Sequence, residues 1–180
     1  MHIPVKPLAK YPFWLRPFFW NQQRRYGAVL DSGLLWGRAP KLFAAVAILY
    51  GVLDRRSSPL DPVLRSLVTV RVSQVNWCAF CVDINTMTLA SRTGSMDKVQ
   101  ALENWAQSDL FDISERLALE YAEAMTYSDR QVTDDLMQRL KSVFDDDTIV
   151  ELTGLVAFQN LSSKFNSALD VPAQGFCKQP

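Results

Sequence analysis

At 180 residues the chain suits a single domain with a sizeable buried core. Its nineteen basic and nineteen acidic side chains cancel, so no global charge draws it to nucleic acid or to an anionic membrane. One histidine in the whole chain, His2, excludes His-based triads, metal sites built on several histidines and a histidine base in the folded core.

In chain order, residues Met1 to Pro17 contain Pro4, Pro7, Pro12 and Pro17, too many for a regular element. Tyr11-Pro12-Phe13-Trp14-Leu15-Arg16-Pro17-Phe18-Phe19-Trp20 is the densest aromatic cluster. It reads either as a membrane-surface anchor or as an arm packing on the core or on a second subunit. Moderate local charge and the lack of a clean apolar face favour the arm. A helix is expected from near Pro17, with Gly27 as its C-terminal cap. Leu30 to Arg38 reads as a short apolar segment. Pro40 opens a helix through Tyr50 that is apolar on nearly all faces, a pattern that predicts burial between other helices. Arg55-Arg56-Ser57-Ser58-Pro59 is a solvated linker turn.

Asp61-Pro62 starts a helix, with a carboxylate at the N-cap and proline at the first helical position. The next residues conflict. Val68, Val70 and Val72 alternate with Thr69, Arg71 and Ser73, the period of a strand, while Leu64, Leu67, Val68, Val72 and Val75 form a helical stripe. The preceding cap and the lack of a strand partner elsewhere decide for helix. Asn76-Trp77 breaks that helix, and Cys78 opens the next one, which Thr93-Gly94 ends.

This second helix start carries the chemistry. At about 100° per residue, Cys81 lies about 60° from Cys78 around the axis, and Asn85 falls on the same face. The free amide groups and positive dipole end of a helix N-terminus favour thiolate over thiol. An acidic thiol with a second sulfur in reach is equipped for thiol–disulfide exchange. C-x-x-C also serves as half of a zinc site, but the only further ligands are a distant Cys177 and His2, short of the usual four. Two structural cysteines in the core are the remaining alternative. Asp83, the nearest acid in sequence, points about 160° away from Cys81.

The second half reads as helical hairpins. Ser95 caps a short helix through Trp105, and Asp112-Ile113-Ser114-Glu115 has the spacing of a capping box. Thr133 caps a helix ending near Phe144. Asp145, Asp146 and Asp147 put negative charge at the positive end of a last long helix, Thr148 to Leu169; calcium-loop spacing is absent. Leu152, Leu155, Val156, Gln159 and Ser163 share one face, so Gln159 or Asn160 either lines the redox pocket or satisfies buried polar groups. Residues 1–35 are therefore read as an arm with a short helix, 36–172 as a helical domain, and 173–180, including Cys177, as a loose tail.

Arg65 to Asn76 before the C-x-x-C, with Glu151-Leu152-Thr153 and Lys164-Phe165-Asn166-Ser167-Ala168-Leu169 downstream, resembles the carboxymuconolactone decarboxylase superfamily. Within it, the resemblance is to the AhpD-like alkylhydroperoxidase branch, from about Trp36 to about Pro172. It implies an all-α bundle of antiparallel helical hairpins that forms a homo-oligomer. It implies Cys81 as the peroxide-attacking thiolate and Cys78 as the resolving partner. The family pattern also has a histidine four residues after the second cysteine and a glutamate twelve before the first. Here those positions hold Asn85 and Ser66, so the proton relay is missing; neither side chain is a useful base near neutral pH. Glu151 is the candidate replacement if the last helix packs over the thiols.

The expected function is a cofactorless thiol oxidoreductase that reduces peroxides and is restored by an external dithiol, of lipoyl or thioredoxin type by the resemblance. A non-catalytic oligomer with a redox-sensitive latch, or lactone decarboxylation as in the family's namesake, are the alternatives. No glycine-rich phosphate loop or dinucleotide fingerprint appears, so no cofactor is expected. No apolar run approaches the ~20 residues of a membrane span. The odd cysteine count without a secretory signal predicts a reducing, cytoplasmic setting.

Overall fold

The structure, a computed structural model, describes residues 1–177. Among them the elements are all helical: α1 (Arg16–Tyr26), α2 (Asp31–Trp36), α3 (Pro40–Leu53), α4 (Pro62–Val75), α5 (Ala79–Thr93), α6 (Asp97–Ala101), α7 (Ile113–Thr126), α8 (Asp134–Lys141) and α9 (Asp146–Ala168). Short 3-10 turns stand at Leu8–Lys10, Phe13–Leu15 and Leu102–Gln107.

Helix α4 is the central post, packed by α5, α7 and α9. That position explains its strand-like sequence. Val68 and Val72 join the core made with α7, α8 and α9, while Leu67 and Val70 face Leu89, Leu102, Phe111 and Leu119 in a second cluster. A helix buried on two opposite sides needs apolar residues almost all round, and the alternation is a by-product of that demand. Arg71 escapes burial of a lone charge by pairing with Glu123 of α7 at 2.7 Å.

The caps of α4, α7 and α8 fall where the sequence places them, whereas α6 has Met96 rather than Ser95 at its N-cap, and α9 starts before Thr148, with Asp145 as its N-cap. Asp61 accepts the Val63 and Leu64 N–H groups, Asp112 and Glu115 form a complete capping box, and Thr133 and Asp145 cap α8 and α9. Helices α4 and α5 form an antiparallel hairpin across a three-residue turn: Arg92, near the end of α5, donates to the Pro62 carbonyl at the start of α4, 2.8 Å away.

Three expectations are corrected. Leu30 to Arg38 contains a helix, α2. Helix α3 is not sheathed by its own chain: only Phe43 and Leu53 are buried, while Leu42, Ile48, Leu49, Tyr50 and Val52 reach solvent. Its inner stripe packs on the N-terminal arm and α9, and the rest of its apolar surface has no cover within the chain. The tail is tied down as far as Cys177, by contacts described below. The aromatic arm packs on the core, with Tyr11, Leu15 and Phe19 buried beside Trp36 and Phe43.

Candidate active site

The sulfurs sit where α4 hands over to α5. Trp77 makes the reversal with φ of 55°, the left-handed region that a bulky residue rarely adopts. The Cys78 N–H then donates to the Ser73 carbonyl at 3.1 Å, and Cys78 serves as N-cap of α5, its Sγ accepting the Cys81 N–H at 3.2 Å. Cys78 and Cys81 are joined as a disulfide, with Cα atoms 5.2 Å apart, while Cys177 is free. The pairing expected from a three-residue separation at a helix start is the one observed.

Both sulfurs are buried in an apolar chamber with Leu30, Leu35, Phe80 and Val171. Among the described residues one polar side chain hydrogen-bonds to them. Asn166 of α9, itself buried, donates from Nδ2 to Cys81 Sγ at 3.3 Å, and its Oδ1 accepts from Ser32 Oγ at 2.8 Å. The Ser32 hydroxyl thus holds the far end of the amide while the near end meets sulfur. In the reduced protein this N–H and the α5 N-terminus would both favour thiolate on Cys81.

Asn85, one turn after Cys81, donates to Ser73 Oγ at 3.2 Å, and Gln159 Nε2 donates to the same oxygen at 3.0 Å. Ser66 Oγ accepts from Arg92 Nη1 at 2.9 Å, and Arg92 also pairs with Asp54 at 2.8 Å. Ser66, Asn85 and Gln159 line one half-open cleft with Tyr50, Arg65 and Arg92. The cleft is the neighbour of the sulfur chamber, joined to it through α5.

Glu151 does not join these residues. It forms a two-pronged ion pair with Arg55, which holds its carboxyl below the usual carboxylate range. It lies fifteen residues before Asn166 on α9, about 22 Å along the axis. Asn160 is drawn off to Asn76 and Thr126. Asp83 faces away from the sulfurs, and its carboxylate accepts three backbone N–H groups, from Gln174 (2.8 Å), Phe176 (3.1 Å) and Cys177 (2.8 Å). The Cys177 thiol is pushed up by burial and by the Asp83 charge. Among the described residues no group of three or more His, Cys, Asp or Glu is placed to hold a metal ion, and no helix is long and apolar enough to cross a membrane.

Residues 40–124 match the carboxymuconolactone decarboxylase family, and the chain is 52% identical over 176 residues to the uncharacterized protein YnjA of Escherichia coli (strain K12), spanning 98% of this chain and 97% of that one. The chain belongs to this family. Its fold is AhpD-like: the crystal structure of an alkylhydroperoxidase AhpD core, an uncharacterized peroxidase-related protein from Ralstonia eutropha JMP134, superposes with a TM-score of 0.87 at 22% identity, covering 97% of this chain and 93% of that one. The debrominase Bmp8 superposes with a TM-score of 0.83 at 20% identity, covering 96% and 91%.

Sequence reasoning missed Asn166, Ser32, Ser73, Arg65 and Arg92. Asn166 stands in a quoted stretch of the resemblance, the one signal that could have drawn attention to it. Ser32 sits in the helix that was not recognised. The two arginines carry no local sign that both turn toward Asp54, at 3.7 Å from Arg65 and 2.8 Å from Arg92.

Proposed function

We propose that the chain is a cofactorless dithiol–disulfide oxidoreductase that reduces organic peroxides. The observation that carries this is the buried Cys78–Cys81 pair at the first turn of α5, with an N–H donor, Asn166 Nδ2, aimed at Cys81 Sγ. Cys81 thiolate attacks the terminal peroxide oxygen, the O–O bond breaks, and the alcohol leaves with one added proton; Cys81 becomes a sulfenic acid. The Cys78 thiol then displaces water from it, forming the disulfide. An external dithiol of lipoyl or thioredoxin type reduces the pair by exchange and is itself oxidised. The peroxidase-related name of the Ralstonia protein supports the same reading.

Asn85, Ser73 and Gln159 are neutral, and Glu151 and Asp83 are engaged elsewhere, so water supplies the proton to the leaving oxygen. The reaction therefore runs without the general acid–base help that is typically worth about 10²–10⁴-fold. The protein acts as a homo-oligomer in this reading, supported by the apolar residues of α3 that its own chain leaves uncovered.

The test is turnover of tert-butyl hydroperoxide under a dithiol reductant, for the parent, for Cys81→Ser and for Ser66→Glu with Asn85→His. The reading expects loss in Cys81→Ser and a gain in the double variant, which restores an acid–base pair. Equal rates for the parent and Cys81→Ser would exclude it and favour a non-catalytic redox latch.

A further inference from the structure

The cleft beside the thiols has a chemical character that peroxide reduction does not use. Its lining is apolar at Leu155 and Phe158 and polar at Arg65, Arg92, Tyr50, Ser66, Asn85 and Gln159. Its cavity volume is about 40 Å³. By that measure one water needs ~10–15 Å³, so a group of a few atoms fits.

Charge in the cleft does not balance. Arg55 and Glu151 neutralise each other, and Asp54 is the one acid set against both Arg65 and Arg92. Asp54 approaches Arg92 closely and Arg65 only at 3.7 Å, which leaves one positive charge in excess. Arg65 is buried, with Nη1 committed to the carbonyls of Leu53 and Arg55. Its Nε–H is enclosed without any acceptor. A buried guanidinium N–H lacking a partner is uncommon, because it forfeits the hydrogen bonds it had in water. Tyr50, which also reaches solvent, adds a hydroxyl to the lining.

We propose that this cleft binds the carboxylate of a small organic monoanion, held by Arg65 and Arg92 with the acid's carbon chain against Leu155 and Phe158. The ligand supplies the missing negative charge, competing with Asp54 and Ser66 for the Arg65 and Arg92 guanidinium groups, whose planar forks match a carboxylate. Asn85 lines the cleft and lies one helical turn, about 6 Å, beyond Cys81 on the same face. A short acid seated here would extend toward the sulfurs. That last link rests on the dithiol reading; the binding site does not.

The experiment is calorimetric titration at low salt with butyrate, and with butyramide as its neutral isostere. The parent should bind butyrate at least about tenfold more tightly than butyramide. Arg92→Gln should weaken butyrate about tenfold. Asp54→Asn should act in the opposite direction, strengthening it by about threefold or more, because the competing carboxylate is removed. Cys81→Ser should leave butyrate binding unchanged while abolishing peroxide turnover, so a failure of the dithiol reading and a failure of this site are told apart. Equal affinity for the acid and the amide, or a shift in the same direction for Arg92→Gln and Asp54→Asn, would overturn the proposal.

Discussion

Helix α5 governs two sulfurs and treats them in opposite ways. Cys81 lies in its first turn, where the unpaired amides and Asn166 Nδ2 offer positive charge and hydrogen-bond donors. Cys177 comes to the other side of the same helix, where its neighbour is the Asp83 carboxylate. Cys81 is the more deeply buried of the two and Cys177 only half-buried, so burial alone would favour the wrong sulfur; the sign of the nearby charge acts the other way. A thiolate is favoured by donors and opposed by a carboxylate, so in the proposed function the first sulfur is the nucleophile and the second takes no part.

The largest expected contrast is in turnover. Cys81→Ser should reduce peroxide consumption to that of buffer, whereas Cys177→Ser should stay within about twofold of the parent, measured with tert-butyl hydroperoxide and a dithiol. Next comes the anchor. Asp83→Ala leaves three backbone donors without their carboxylate, and hydrogen bonds to a charged group contribute about 1.5–3 kcal/mol each without being additive. A loss of roughly 3 kcal/mol in denaturant-measured stability is expected, together with faster alkylation of Cys177. Unchanged stability would show that the tail is held by its apolar contacts, such as that of Phe176 with Tyr26. The smallest effect is at the donor. Asn166→Ala should raise the Cys81 pKa by about one to two, since one unit corresponds to about 1.4 kcal/mol. Thiol absorbance followed against pH reads it, and the shift should be absent from Cys177.

The fold was largely legible because its signals are local. Asp61, Asp112, Thr133 and Gly94 punctuate the helices within a few residues of the ends they define. Those caps outweighed the alternating valines of α4. Cys78 and Cys81 were legible for the same reason, since their proximity is set by one turn of helix. What covers each face was not legible. Apolarity all round predicted that α3 is buried but not against what, and the chain itself leaves part of it open. The helical angle correctly turned Asp83 away from Cys81, yet its partners are backbone N–H groups more than ninety residues later, which leave no side-chain signature. Asn166 and Cys81 are 85 residues apart, and only the closing of α9 over α5 brings them together.

The central claim is that α5 makes Cys81 the reactive sulfur. Its most direct test is alkylation of the fully reduced protein by iodoacetamide across a pH series, with modification of each cysteine followed by mass spectrometry. The account predicts that Cys81 is modified first, with a rate step below the unperturbed thiol pKa of ~8.5, and that Cys177 responds only above it. Faster modification of Cys177, or a single shared step at or above ~8.5 for both, would contradict it.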